Sequence, residues 1–119
     1  MTITSSSPVH PILLIENTNA DENAAYLQFY KNSTSGAAND VLGSILFYGN
    51  DGGDNKTLFG TIESQSLYVT DNDEGGALTF KVIQDSTARN YLTLKGYNGS
   101  VNEGEVIFNE DSQDVDFRV

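Results

Sequence analysis

The stretch "GNDGGDNKTLFG", Gly49–Gly60, lies between two apolar runs, and its reading decides the fold. Asp51, Asp54 and Asn55 alternate with glycines, a chemistry shared by metal loops, phosphate cradles and hairpin turns. A phosphate cradle requires a glycine, a four-residue gap, then Gly-Lys-Ser/Thr entering a helix. Lys56-Thr57 follows the glycines here, but the gap is absent, and "LFGTIES" reads as a strand. Hard oxygen ligands suit calcium, yet the repeat that uses them this way needs several stacked copies, and one is present. The second acidic loop, "DNDEGGALTFKV", begins like a calcium-binding hand with Asp71 and Asp73. It then places Gly75 where a ligand belongs and Val82 where the closing glutamate must be. Both loops read as hairpin turns, with glycines expected to supply the positive φ angles, and calcium bound at the surface is the lesser alternative.

Outward from that turn the chain alternates short apolar runs with Asn/Asp/Gly clusters, the pattern of hairpin-linked strands. In "ALTFKVIQ", Leu78, Phe80 and Val82 share one face, opposite Thr79 and Lys81. Leu92 and Leu94 share a face opposite Tyr91, Thr93 and Lys95, and Val115, Phe117 and Val119 alternate with Asp116 and Arg118. The period is 2, not 3.6. In "NADENAAYLQFY" a short helix capped by Asp21 competes with a strand through Tyr26 to Lys31, and the strand is favoured. Weak echoes, "LTFKVIQDS" with "LTLKGYNGS" and "LQFYKN" with "ILFYGN", have unequal spacings and describe similar hairpins rather than a solenoid.

The fold expected is all-β: a compact antiparallel β-sandwich or barrel-like domain over residues 12–119, preceded by an extended arm over residues 1–11. The arm, "MTITSSSPVHP", is held in β or polyproline geometry by Pro8 and Pro11 and reads as neither basic nor apolar enough for a signal peptide. At 119 residues the chain suits one small domain, and Asn, Asp and Gly together outnumber Leu, Ile, Val and Phe. A core this thin needs a staple, and with no cysteine the staple expected is other copies of the chain. The residues expected at that interface are Phe80, Leu92, Leu94 and Phe117.

Charge limits the partners. Seventeen acidic residues face six basic ones, a net charge of -11, and the basic residues are scattered. Nucleic acid and anionic membrane surfaces would be repelled. The single histidine, His10, lies in the arm without an assignable partner, and no hydrolase or metalloprotease motif occurs. Carboxylate pairs are too abundant to single one out for glycoside hydrolysis, and a solvated acidic surface accounts for them. The six tyrosines in or beside the runs read as cross-strand packing, with sugar binding as the sharper alternative.

The segment "NEGEVIFNEDSQDVDFRV" resembles parts of tail-fibre and other virion proteins of tailed phages, notably those infecting cyanobacteria, which carry "N-E-x-x-x-x-x-D-F-R-V". Residues 45–96 look like the accompanying unit: a strand, an acidic Gly-rich turn, a "G-T-I" strand, "D-x-x-E-G-x-L-x-F" and a closing "L-x-L" strand; together the two parts cover about residues 41–119. The resemblance implies a non-enzymatic, β-rich virion component, usually trimeric, with no cofactor. Long shaft repeats and a receptor-binding head are not seen. A capsid decoration or cement protein on the shell exterior is therefore expected, its partners being the major capsid protein and its own copies. In that role Ile3, Pro8, Val9, His10 and Pro11 would bind the shell. The alternatives are a tail-fibre or receptor-adhesion unit, with a host glycan as ligand, and, less favoured, a calcium-dependent tailspike-type enzyme fragment.

Overall fold

The computed structural model describes residues 2–7, 11–97 and 104–109. Five strands follow one another: β1 (Val41–Asn50), β2 (Lys56–Thr70), β3 (Asp73–Gln84), β4 (Thr87–Gly96) and β5 (Gly104–Phe108). Each pairs antiparallel with the next, giving one sheet in the order β1-β2-β3-β4-β5. The chain is thus all-β, and no helix occurs among the described residues.

Positive φ in the turns is carried by Asn, Asp and Ser rather than glycine, although Gly52 and Gly53 lie in the β1–β2 turn. Positive φ angles occur at Asn39, Asp54, Asn72, Asp85, Ser86 and Asn109, and at no described glycine. Asp85 and Ser86, at φ 50 and 61, form the two-residue β3–β4 turn whose twist matches the flanking strands. Asp71-Asn72 closes β2 to β3, so Gly75 and Gly76, expected in that turn, belong to β3 opposite Tyr68 and Ser66. Asn and Asp tolerate the left-handed region because their short polar side chains bond locally.

Cross-strand register sorts the side chains onto two chemically different faces. Ile45, Ile62, Phe80, Leu92 and Phe108 form one row across all five strands. Gly43, Ser64, Leu78, Leu94 and Val106 form a second, and Phe47, Gly60 and Val82 a third, ending at Arg89. The opposite face carries Glu63, Thr79 and Thr93, then Leu46, Thr61, Lys81 and Asn90, then Gln65, Ala77, Lys95 and Glu105. Leu42, Phe59, Leu67 and Tyr91 are extra residues at the four register shifts, where bulges sharpen the twist.

The expected sandwich or barrel closure is not what the described residues form. The sheet is open, and among the described residues only Ala77, Thr61, Ser66 and Thr93 are buried. Thr93, 2% exposed, is the most enclosed side chain and lies on the polar face. Val106 and Phe108, on the apolar face, are 62% and 58% exposed. The fold is also less compact than expected: its radius of gyration is 18.0 Å, against about 13–14 Å for a compact domain of this length.

Residues 11–40 contain no strand and lead, as a continuation of the arm, to β1. The strand expected through Tyr26–Lys31 does not form, and neither does the competing helix. Asp21, the proposed helix cap, instead accepts from the Asn23 N–H at 3.0 Å and from Asn19 Nδ2 at 2.6 Å. Asn17 Nδ2 donates to the Asn23 carbonyl at 3.0 Å, and the Asn19 N–H donates to Asn17 Oδ1 at 2.9 Å. These local bonds close a polar loop over residues 17–23 and supply the backbone with partners other than helix or sheet.

Candidate functional site

The apolar face is the principal surface feature, and Phe29 of the arm meets it at Gly43. Gly43 interrupts the apolar pattern of β1, and a Cβ placed there would lie 2.7 Å from Phe29 Cβ and 2.9 Å from Phe29 Cγ. Only glycine leaves room for that approach. Phe29 and Gly43 with Leu42, Ile45, Ile62 and Leu78 line an open cavity of about 270 Å³. Elsewhere on the arm Ile12, Leu13, Leu14, Ile15, Tyr26, Leu27 and Tyr30 remain exposed.

The arm is anchored just before β1. The Asn39 N–H donates to the Ser66 carbonyl at 2.7 Å, and the Ser66 N–H donates to the Asp40 carbonyl at 2.9 Å. Ser66 Oγ donates to the Ala37 carbonyl at 2.8 Å, and Gln65 Nε2 to the Asn39 carbonyl at 2.9 Å. Lys31 Nζ lies 2.6 Å from Asp40 Oδ1; this bond, with the Ala37 N–H, holds the Asp40 carboxyl below its ordinary range.

The polar face holds a trough of about 370 Å³ bordered by Glu63, Gln65, Thr79, Lys81, Asn90 and Thr93. Lys81 Nζ donates to Glu63 Oε1 at 2.7 Å, so the charges at its centre satisfy one another. In the opening turn the Asp51 carboxylate accepts from the Gly53 N–H at 2.8 Å, the Asn55 N–H at 3.0 Å and Thr57 Oγ1 at 3.3 Å. The Asn55 and Gly53 donors lower the Asp51 pKa, which fixes the carboxylate as part of the turn. Among the described residues no group of three His, Cys, Asp or Glu side chains is arranged to hold a metal ion.

Of the residues expected at an interface, Phe80, Leu92 and Leu94 share the apolar face, Phe80 directly opposite Leu92 and Leu94 opposite Leu78. Phe117, with the expected strand Val115–Val119, lies outside the described residues. Of the expected shell-binding residues, Ile3 and Pro11 are exposed, while Pro8, Val9 and His10 lie outside the described residues. Sequence reasoning missed Phe29 and Gly43. The signal available was a lone glycine inside a β-branched and aromatic run, which marks a bulge or a close approach; here Gly43 adjoins the bulged Leu42 and also receives Phe29. No protein-family model, curated protein or solved structure matches the chain.

Proposed function

We propose that this chain is a non-enzymatic structural subunit of a phage virion. Its most favoured role is a capsid decoration or cement protein that binds the shell exterior as a homotrimer and stabilises it. The observation that carries the self-assembling part is the open sheet: among the described residues, Ile45, Phe47, Val82, Leu94, Val106 and Phe108 on its apolar face stay exposed, as do the apolar residues of the arm. A single layer cannot bury its apolar face alone, and domains reach stability by packing a second layer against the first. Copies of the same chain supply that layer most simply. The virion setting is supported by the sequence resemblance and by the acidic composition, which disfavours nucleic acid as partner. The exposed arm end at Ile3 and Pro11 is suited to reach a neighbouring capsid subunit.

The test is the copy number of the protein in purified particles by quantitative mass spectrometry, together with the native mass of the isolated protein. Hundreds of copies and a trimeric mass are expected. A handful of copies would move the protein to the tail and make a host glycan its ligand. Absence from the particle would remove the virion reading altogether.

A further inference from the structure

The apolar face carries no carboxylate in any of its three rows, although the chain has 17 acidic residues. It is the one broad surface of the sheet on which two copies can meet without opposing carboxylates. Its size falls short, however. Five strands about 4.8 Å apart and three rows about 6.8 Å apart project an area on the order of 500 Å². A stable interface buries about 800 Å² per partner. More apolar surface must join it, and among the described residues outside the sheet the exposed apolar side chains are those of the arm.

Within the arm, Ile12–Ile15 is an unbroken apolar run, with Leu14 73% exposed. An extended run that is apolar on both sides is the pattern of a strand covered on both faces, because alternate side chains point in opposite directions. No charged side chain precedes Glu16 except the titratable His10, so the run approaches an anionic neighbour without repulsion. Reach is ample. The chain between Ile15 and Phe29 spans tens of ångströms at about 3.3 Å per residue, even doubled back through the polar loop at 17–23. In the lone chain Ile12–Ile15 stays off its own sheet, while the cavity beside Phe29 stays open.

We propose that in the assembled protein the Ile12–Ile15 run of one copy lies on the apolar sheet face of a second copy, filling the cavity beside that copy's Phe29. The arm is thereby exchanged between copies, with its root at residues 37–40 fastened to its own β2. This rests on the self-assembly in the proposed function and not on the virion setting.

The chain has no cysteine, so single thiols can be introduced cleanly. One set of differently tagged copies carries Leu14→Cys, or in a parallel series Leu13→Cys, and the other carries Leu78→Cys; the two are co-expressed and treated with a short bismaleimide. A product containing both tags is expected for either arm thiol. It should be lost when Leu78→Cys is replaced by Thr79→Cys on the polar face. A double variant, L14C/L78C, that closes only within its own chain would overturn the exchange. So would the absence of any cross-tag product in protein of oligomeric mass, which would leave self-assembly standing. A monomeric mass at all accessible concentrations would overturn both.

Discussion

Val106 offers the sharpest test of whether the apolar face is covered in solution. It lies on the edge strand β5, in the row of Leu78 and Leu94, and is 62% exposed in the single chain. If the chain acts alone, Val106→Asp changes a surface side chain on an edge strand, and the cost stays within about 1 kcal/mol. If a second copy covers the face, the same change places an unpaired carboxylate in an apolar contact, which costs several kcal/mol. At about 3 kcal/mol the dissociation constant of each contact rises roughly 150-fold. Leu46→Asp is the matched control. Leu46 is also an exposed apolar residue on an edge strand, but it faces the polar side, in the row of Thr61 and Lys81. Light scattering and sedimentation over a dilution series should show Val106→Asp dissociating at far higher concentration than the parent, with Leu46→Asp unchanged. Indistinguishable dilution profiles for the two variants would refute the covered face.

Deleting residues 1–11 should leave the β-sheet signal in circular dichroism intact and abolish retention on the particle; equal retention would remove the arm from shell binding. Gly43→Ala should displace Phe29 and raise the rate of proteolytic cleavage within residues 24–36 several-fold, since its Cβ would meet Phe29 Cβ at 2.7 Å; unchanged cleavage would show that Phe29 does not hold the arm. Ser86→Gly should stabilise the β3–β4 hairpin by about 1 kcal/mol, because a left-handed φ of 61 strains serine but not glycine; a lower midpoint in denaturant would contradict the turn assignment. The Asp51 and Asp40 carboxyls have lowered pKa values in the folded chain, so their stabilisation is fully present above the unfolded carboxylate value, about 3.9, and lost as pH falls through the folded values. The Gly53 and Asn55 amides, which donate to Asp51, should therefore stay protected from exchange from pH 7 down to about 4 and open below it; opening between pH 5 and 7 would contradict this.

The strands were legible where alternation was strong. Leu78, Phe80 and Val82, and Leu92 with Leu94, lie on one face as their spacing requires. The runs around Ile12–Ile15 and Tyr26–Lys31 have similar composition and yet form no strand among the described residues. A strand pattern reports that a segment suits a pleated, covered surface, but not whose backbone completes it. The same gap explains the unrealised sandwich: apolar rows demand a second layer and do not say which molecule provides it. Both acidic loops are the hairpin turns their composition suggested, but the residues that carry positive φ in them were not legible. Glycine's freedom at positive φ is permissive, whereas Asp54, Asn72 and Asp85 hold that geometry with side chains able to bond nearby. Of the candidate site, Phe80, Leu92 and Leu94 were readable from alternation, whereas the contact between Phe29 and Gly43 joins residues 14 apart with no shared period.

The fastening of residues 37–40 to Ser66 bears on how the subunit would carry load. Tension arriving along the arm reaches the sheet through bonds from Asn39 and Asp40 across to β2, before it reaches β1. Those bonds continue the β1–β2 ladder past the bulge at Leu42. A pull directed along the strands therefore acts on the ladder in shear and divides among many rungs at once. A pull across the strands would open the rungs one at a time from Asn39 onward. The orientation in which the arm leaves the sheet would thus set how firmly the subunit resists being dragged from its seat.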